Sequence, residues 1–277
     1  MNSLSFFKKP KSIRSIAAYF LLFLLFSAYV FYNKQPTTDT LIANADKYFY
    51  GKEYDKAQHY YNLAVEYGYD PHKISDKYFF LGNIYKYAKN VKQDYPKAVE
   101  LFAKACNAKN AQGCHMLGYM HRYGQGVESD YDKSAKFYAK AVDLYSKACE
   151  AGDAKECGLL GYMYDIGEGV AEDKDKASDL YAKACEGGYA KGCGLLGLLY
   201  NYGEGVKQDK FKAVDLYKKA CDGGYMQGCG SLGYMYENGE GIEQDYAKAI
   251  KLFKKACDEA GTGSVCDSYK KLKEKGF

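Results

Sequence analysis

The ten cysteines of this 277-residue chain are its most reactive side chains, and they fall into five closely spaced pairs. The pairs are Cys106–Cys114, Cys149–Cys157, Cys185–Cys193, Cys221–Cys229 and Cys257–Cys266. Zinc ligands usually come in closer pairs, with about two to four residues between them, so this spacing argues against a metal site. Even, regular pairing predicts one local disulfide per pair and an oxidising compartment. Reduced thiols that pack as small apolar side chains are the alternative if the chain is not exported.

Other residues that could do chemistry form no complete set. The two Ser-x-x-Lys matches, Ser5–Lys8 and Ser268–Lys271, lack the accompanying Ser-Asp-Asn and Lys-Thr-Gly motifs of serine β-lactamases. The four histidines form no zinc motif, because His115 and His121 are six residues apart on different faces of a helix. The Gly-x-Gly elements precede no Lys-Ser/Thr, which argues against a phosphate loop. The sequence therefore identifies no catalytic residue, metal site or cofactor.

The cysteines are part of a repeat that predicts the elements positioning them. Cys149, Cys185, Cys221 and Cys257 recur every 36 residues, a period typical of solenoids of helical hairpins. The first half of a unit reads CGLLGYMYDIGEGV from Cys157, and the second half reads DKFKAVDLYKKAC from Asp209. We expect the Gly-x-Gly element to end the first helix and an aspartate to cap the second. The capping aspartates are Asp94, Asp130, Asp173, Asp209 and Asp245.

The repeat divides residues 41–259 into six units. Residues 41–108 hold two units without the full cysteine pattern, residues 109–259 hold four cysteine-paired units, and residues 260–277 are expected to form a capping helix. In the unit of residues 71–108, Ala88 stands where later units have a glycine, so its loop is expected to differ. Cys106 and Cys149 are 43 residues apart, seven more than the period. The surplus, residues 134–140, is close to two helical turns and predicts a projecting helix end.

The N-terminal region indicates export. Four basic residues and no acidic residue precede an apolar run, residues 16–32. This order is typical of an export signal whose start, residues 1–15, stays in the cytoplasm. No A-x-A-like site follows, which favours an uncleaved membrane anchor over a cleaved signal peptide. Residues 33–40 then form a linker, and the rest is expected to be extracytoplasmic, either periplasmic or secreted.

Charge argues against one class of partner. The net charge of +4 equals the four basic residues of the N-terminal region, so residues 33–277 hold 35 basic and 35 acidic side chains. No basic stripe remains to neutralise phosphates, and nucleic acid is not an expected partner.

A binding groove is the functional site that the repeat itself predicts. The first, fifth and eighth residues after the first-helix cysteine share one face, and the eighth changes charge from unit to unit. We expect small residues, aromatic platforms and individual polar contacts along this face. Its candidate residues are Tyr119, Arg122, Tyr162, Asp165, Asn201, Tyr234 and Glu237. The alternative is that these tyrosines pack between hairpins and the eighth position is an ordinary exposed site.

The unit K-A-C…G-C-x-x-L-G-x-x-Y…G-x-G resembles the Sel1-like repeat, a relative of the tetratricopeptide repeat. With its cysteine spacing and N-terminal segment, the chain resembles the Helicobacter cysteine-rich protein family over residues 72–266. The resemblance implies an all-α fold, a right-handed α/α superhelical solenoid of about six helix-turn-helix repeats cross-linked by disulfides. It also implies weak β-lactamase or penicillin-binding activity, for which no catalytic residue can be transferred. We expect a scaffold that binds a protein, a peptide or a cell-wall component, with β-lactam hydrolysis as the alternative.

Overall fold

The computed structural model describes residues 36–261 and 263–276 and divides the chain into two units, Met1–Pro71 and His72–Phe277. The first unit contains the antiparallel helices α1, Thr38–Tyr50, and α2, Tyr54–Glu66. Thr37 caps α1 through its hydroxyl, so the helix begins inside the linker expected at residues 33–40, which corrects that boundary. The expected cytoplasmic segment and the signal or anchor of residues 16–32 lie outside the described residues.

The second unit is a row of helical hairpins. Consecutive helices pair as α3/α4, α5/α6, α7/α8, α9/α10 and α11/α12, and α13 packs against α12. Their bounds are α3 Ser75–Lys86, α4 Tyr95–Asn107, α5 Ala111–Tyr123, α6 Tyr131–Glu150, α7 Ala154–Ile166, α8 Lys174–Glu186, α9 Ala190–Tyr202, α10 Lys210–Asp222, α11 Met226–Asn238, α12 Tyr246–Ala260 and α13 Ser264–Glu274. No strand occurs in the ranges that the structure describes. The prediction of an all-α solenoid of helical hairpins cross-linked by disulfides is confirmed.

Helix ends follow the expected chemistry. Each of the five aspartates caps its helix by accepting a hydrogen bond from the backbone N–H three residues later, as Asp209 does from Lys212 at 3.0 Å. The glycines that end the first helices have positive φ, for example 68° at Gly167 and 72° at Gly169. Ala88 takes the same left-handed conformation at φ 54°, so the loop expected to differ keeps the backbone turn. It does so with the strain that a Cβ atom brings at positive φ.

Glycine inside the first helices lets the two helices of a hairpin pack closely. A Cβ atom at Gly161 would lie 2.9 Å from the ring of Tyr181 on the partner helix, and one at Gly197 would lie 2.9 Å from the ring of Tyr217. Real Cβ contacts are not this short, so each aromatic ring occupies the space that a side chain would need. The fully buried Tyr181 shows that these rings form the core of each hairpin.

Disulfides join each hairpin to the next. In all five pairs the structure has a bond between the cysteines, and their Cα atoms are 4.5–4.9 Å apart. Each bond links the last turn of a second helix to the first turn of the following first helix. The cross-links therefore stabilise the junctions between hairpins.

Helix α6 is the irregular element, with 20 residues where α8 and α10 have 13. The Gly-x-Gly turn of each later hairpin packs against the first residue of the preceding second helix, as Gly205 does on Lys174. Gly169 instead packs on Tyr138, seven residues into α6. The α7/α8 hairpin is thus displaced by about two turns, roughly 10 Å, along α6. The first two turns of α6 extend past it, with Tyr131 72% exposed.

Candidate binding site

The fifth and ninth residues after the first-helix cysteine form a surface that we call the aromatic face. Residues four apart on a helix lie on one side, and the rings of Tyr119 and Tyr123 are in contact at 4.6 Å. The members of the face are Tyr119, Tyr123, Tyr162, Ile166, Leu198, Tyr202 and Tyr234. The candidate groove included the fifth position but not the ninth. The ninth position could have been found from the sequence, because in alternate units a tyrosine stands directly before the Gly-x-Gly element.

Much of this face is open to solvent. The exposed fractions are 55% for Tyr123, 37% for Tyr162 and 64% for Tyr202. Leu198 and Ile166 are both 42% exposed. Tyr234 is half-buried, because its ring packs at 4.8 Å on Phe253 and its hydroxyl accepts a hydrogen bond from Ser268 at 3.2 Å. The face therefore combines open tyrosines in its middle with a tyrosine that belongs to the hairpin core.

The eighth-position residues make different contacts in each hairpin. Asp165 accepts hydrogen bonds from Lys174 at 2.6 Å and from the Tyr181 hydroxyl at 3.1 Å. The exposed Arg122 lies 3.9 Å from Glu168. The charged residue at this position is therefore bonded inside the array in one hairpin and exposed in another.

Two further eighth-position residues, Asn201 and Glu237, lie at half-buried positions near the C-terminal end of the array. The Asn201 side-chain oxygen is buried and has no hydrogen-bond partner among the described residues. The backbone carbonyl of Glu237 accepts a hydrogen bond from Gln244 at 2.8 Å. Asn201 is thus the one candidate whose side chain leaves a buried acceptor unused.

The structure corrects the prediction that the first position after the cysteine lies in the groove. Gly158 and Gly194 are buried, and a Cβ atom there would lie 2.7 Å and 2.6 Å from the rings of Tyr189 and Tyr225. These tyrosines precede the next first helix. Glycine occurs at this position because the following hairpin covers it, and the solvent-facing groove does not extend there.

Ion pairs between neighbouring hairpins were not predicted. The central glutamate of the Gly-Glu-Gly turn reaches back to the preceding hairpin, as Glu204 does to Lys174 at 3.4 Å and Glu240 to Lys210 at 2.9 Å. Because of the two-turn displacement, Glu168 contacts His115 instead, at 2.8 Å. These pairs join residues 30–53 positions apart, and no local pattern indicates them.

A buried lysine lies beside the aromatic face. Lys86 on α3 is 6% exposed, and its ammonium lies 3.9 Å from the centre of the Tyr119 ring. Burial lowers the pKa of Lys86 to about 8, while the aromatic ring favours the charged form. This contact fixes the half-buried Tyr119 against the preceding hairpin.

Histidines, acids and cysteines show no metal-like grouping in the part of the chain that the structure describes. His121 stacks on Phe137 at 5.4 Å, and burial lowers the pKa of its imidazole. Across the same residues, none of the helices has both the length and the apolar composition that a membrane span requires.

Known proteins resemble this chain mainly in fold. A Sel1 repeat protein from Oxalobacter formigenes is 23% identical, with a TM-score of 0.59 over 79% of this chain and 82% of that chain. Helicobacter pylori cysteine rich protein B is 34% identical over 50% of this chain and 96% of that chain, with a TM-score of 0.39. The ERAD-associated E3 ubiquitin-protein ligase component HRD3A of Arabidopsis thaliana is 34% identical over 58 residues. That match covers 21% of this chain and only 9% of HRD3A.

A family model for the Sel1 repeat matches six segments of the chain. They are residues 48–69, 78–110, 111–153, 157–189, 190–225 and 228–260. Each of the last five segments overlaps one helical hairpin of the second unit, and together the six cover more than half of the chain. The resemblance inferred from the cysteine-containing unit is thereby confirmed, and the chain belongs to the Sel1 repeat family.

Proposed function

We propose that this Sel1 repeat protein is an extracytoplasmic scaffold that binds a protein or peptide through its aromatic face. The observation that carries the proposal is the run of exposed aromatic and apolar side chains on α5, α7 and α9, where Tyr123, Tyr162 and Tyr202 offer rigid contact area. Such residues are enriched at the centres of protein interfaces, and they bury large area at low entropic cost. Contiguous exposed apolar surface on a protein usually marks an interaction site.

Export is supported by the chemistry of the cysteines. Five local disulfides are stable in an oxidising compartment, and all ten cysteines take part in them. The basic residues that precede the apolar run of residues 16–32 fit an export signal or an inner-membrane anchor. Alkylation of cell lysates at the moment of lysis tests the proposal. We expect no free thiol in the protein, whereas several alkylated cysteines would contradict an extracytoplasmic location.

Site-specific photo-cross-linking in the producing cells tests the binding face. We would place p-benzoylphenylalanine at Tyr162 or Tyr202 in the full-length chain, and at Tyr131 as the matched control. Tyr131 is 72% exposed but lies on the projecting end of α6, outside the aromatic face. We expect a discrete cross-linked product from the two face positions and none from the control. Equal products from all three positions would contradict a specific binding face.

Two alanine substitutions separate binding from stability. Tyr162→Ala with Tyr202→Ala should remove the cross-link that a probe at Leu198 forms, with a loss of about 1–3 kcal/mol of binding per anchor. Because both tyrosines are exposed, the melting temperature should change little. A large fall in melting temperature would show that the tyrosines are structural.

Hydrolysis of β-lactams is tested on the same oxidised protein. Steady-state turnover of a chromogenic β-lactam should not exceed the background of a mock purification. Turnover clearly above that background would favour the enzymatic alternative over the scaffold.

A further inference from the structure

A pocket of about 390 Å³ opens on the aromatic face between the α9/α10 and α11/α12 hairpins. Its size lies within the range of about 300–1,000 Å³ that is typical of ligand sites. Aromatic and apolar side chains line one part of it, and amide, hydroxyl and paired charged groups line the rest. The lining includes Leu198, Asn201, Tyr202, Ser231, Tyr234 and Met235.

The preceding junction, between α7/α8 and α9/α10, shows how this space is filled in a regular repeat. There Asp165 is bonded to both Lys174 and the Tyr181 hydroxyl. Leu195, the second residue after the cysteine of α9, packs on the same hydrophobic cluster as Tyr181. The packing of Leu195 crosses this junction, and the two hydrogen bonds of Asp165 lie within the α7/α8 hairpin.

Among the side chains that differ from the preceding junction, two bear on the origin of the pocket. Asn201 replaces the aspartate, and Ser231 stands at the position of Leu195, where the other cysteine-paired units also have leucine or methionine. The Tyr217 hydroxyl lies near Ser231 and makes no hydrogen bond to the Asn201 side-chain oxygen. The buried Asn201 oxygen is left without a donor among the described residues. The pocket is therefore explained by lost volume, and Asn201 in its wall has an unused hydrogen-bond acceptor.

We propose that this pocket binds an aromatic side chain that carries a hydrogen-bond donor, a phenol or an indole, presented by a polypeptide. An acceptor buried without a partner is costly, and a ligand O–H or N–H would satisfy it. Tyr202 and Tyr234 provide ring contacts, and the Met235 thioether packs well against aromatic edges. Lys210 and Glu240 are paired with each other at 2.9 Å, so the pocket offers a neutral polar group rather than an uncompensated charge.

This inference deepens the proposed function, because it assigns the residue type that the aromatic face would recognise. Ligand binding can be followed by the methyl signals of the methionines, of which the chain has only six. Met235 lines the pocket, and Met163 occupies the same helical position two hairpins earlier. We would titrate the full-length oxidised protein, labelled on its methionine methyl groups, with N-acetyl-tyrosinamide, N-acetyl-tryptophanamide and N-acetyl-phenylalaninamide.

We expect saturable shifts of the Met235 methyl signal with the tyrosine and tryptophan probes and no shift of Met163. The phenylalanine probe, which lacks a ring donor, should bind about tenfold more weakly. Asn201→Ala should abolish that difference by removing the acceptor. Ser231→Leu should weaken both donor probes at least tenfold, because it restores the larger side chain of the regular junction.

Three results would overturn the inference: no saturable Met235 shift, equal affinity for the tyrosine and phenylalanine probes, or unchanged binding in Ser231→Leu. Circular dichroism verifies that each variant is folded, and Asn201→Ala provides an independent test if Ser231→Leu is not. Photo-cross-linking at Tyr162 is read separately. If it persists when the probes fail to bind, the pocket assignment is wrong and the binding face stands; if both fail, the proposed function is wrong as well.

Discussion

Two neighbouring junctions of this repeat array differ in the side chains that line the space between the hairpins. In the closed junction, between α7/α8 and α9/α10, Lys174 contacts Glu204 of the next hairpin at 3.4 Å and Asp165 of its own hairpin at 2.6 Å. In the open junction, between α9/α10 and α11/α12, Lys210 contacts Glu240 at 2.9 Å, and the Asn201 side-chain oxygen has no such partner among the described residues. Both junctions carry a disulfide with Cα atoms 4.5 Å apart. The same backbone arrangement is thus compatible with a filled or an open interface.

The comparison teaches that variation at a few positions can create a binding site in a repeat fold without altering its frame. Caps, turns and interior glycines are shared by both junctions and maintain the hairpins. The second and eighth positions after the cysteine differ in volume and hydrogen bonding, and the fifth and ninth positions differ as well. Since the two junctions have the same helix lengths, each serves as the control for the other.

Removal of a disulfide should have the largest effect. Cys185→Ala with Cys193→Ala, and separately Cys221→Ala with Cys229→Ala, should each lower the free energy of unfolding by about 2.5 kcal/mol, because the closed loops are equally short. Urea unfolding of the oxidised proteins measures this loss. Hydrogen exchange should then rise more in α11 without Cys221–Cys229 than in α9 without Cys185–Cys193. Equal exchange would show that the filled contacts add nothing at the closed junction.

Swapping the second- and eighth-position side chains between the two junctions should have the second-largest effect on stability. Asp165→Asn with Leu195→Ser should lower the free energy of unfolding by about 2 kcal/mol, through lost packing and a lost hydrogen-bonded charge. Asn201→Asp with Ser231→Leu should raise it by about 1–2 kcal/mol, because the new carboxylate would reach Lys210 and Tyr217 as the carboxylate of the closed junction reaches its own lysine and tyrosine. Shifts of the same sign in both double variants, measured by urea midpoints, would contradict the comparison.

The helix caps should be equal at the two junctions. Asp173→Ala and Asp209→Ala each remove one side-chain acceptor, at 2.9 Å and 3.0 Å from a backbone N–H. Each should cost about 1 kcal/mol of unfolding free energy. Asp→Asn at the same sites, which retains an acceptor, is the matched control and should cost less. A clear inequality between the two alanine variants would mean that capping contributes to the difference between the junctions.

The lysine ion pairs should give the smallest effect. Lys174→Met should cost less than about 1 kcal/mol, because its side chain is 32% exposed and screened by water. Lys210→Met should cost less still, because its side chain is 39% exposed. The hydrogen bond from Lys174 to Asp165 raises the pKa of the lysine above its ordinary value, against the effect of burial. The contribution of the Lys174–Asp165 pair to folding stability is therefore complete below the ordinary lysine pKa. It is lost as the pH rises through the raised pKa.

Unfolding of the wild type and Lys174→Met at pH values below the ordinary lysine pKa and above the raised one measures this pH dependence. The difference in unfolding free energy between the two proteins should shrink at the higher pH. A difference that grows with pH would show that Lys174 is not held by the charge of Asp165.

Local features were predictable because their causes lie within a few residues. Asp209 caps a helix three residues away, and Cys221 meets Cys229 across a short loop, so periodic spacing was enough to identify both. The seven extra residues near Ser134 likewise predicted a helix two turns longer, because the period of the unit is otherwise constant. Ala88 was harder, since its left-handed conformation depends on packing that overrides its own preference.

The sequence by itself determined the helical hairpin, its ends, its cysteine pairing and the length of α6. The tertiary structure alone decided which faces of the hairpins are covered. It placed Tyr189 over Gly158, displaced Gly169 to Tyr138, and brought Glu168 to His115. It also left the ninth-position tyrosines exposed and the gap beside Asn201 open. These outcomes depend on how neighbouring hairpins dock, which couples residues about 30–50 positions apart and leaves no periodic signal in a single repeat.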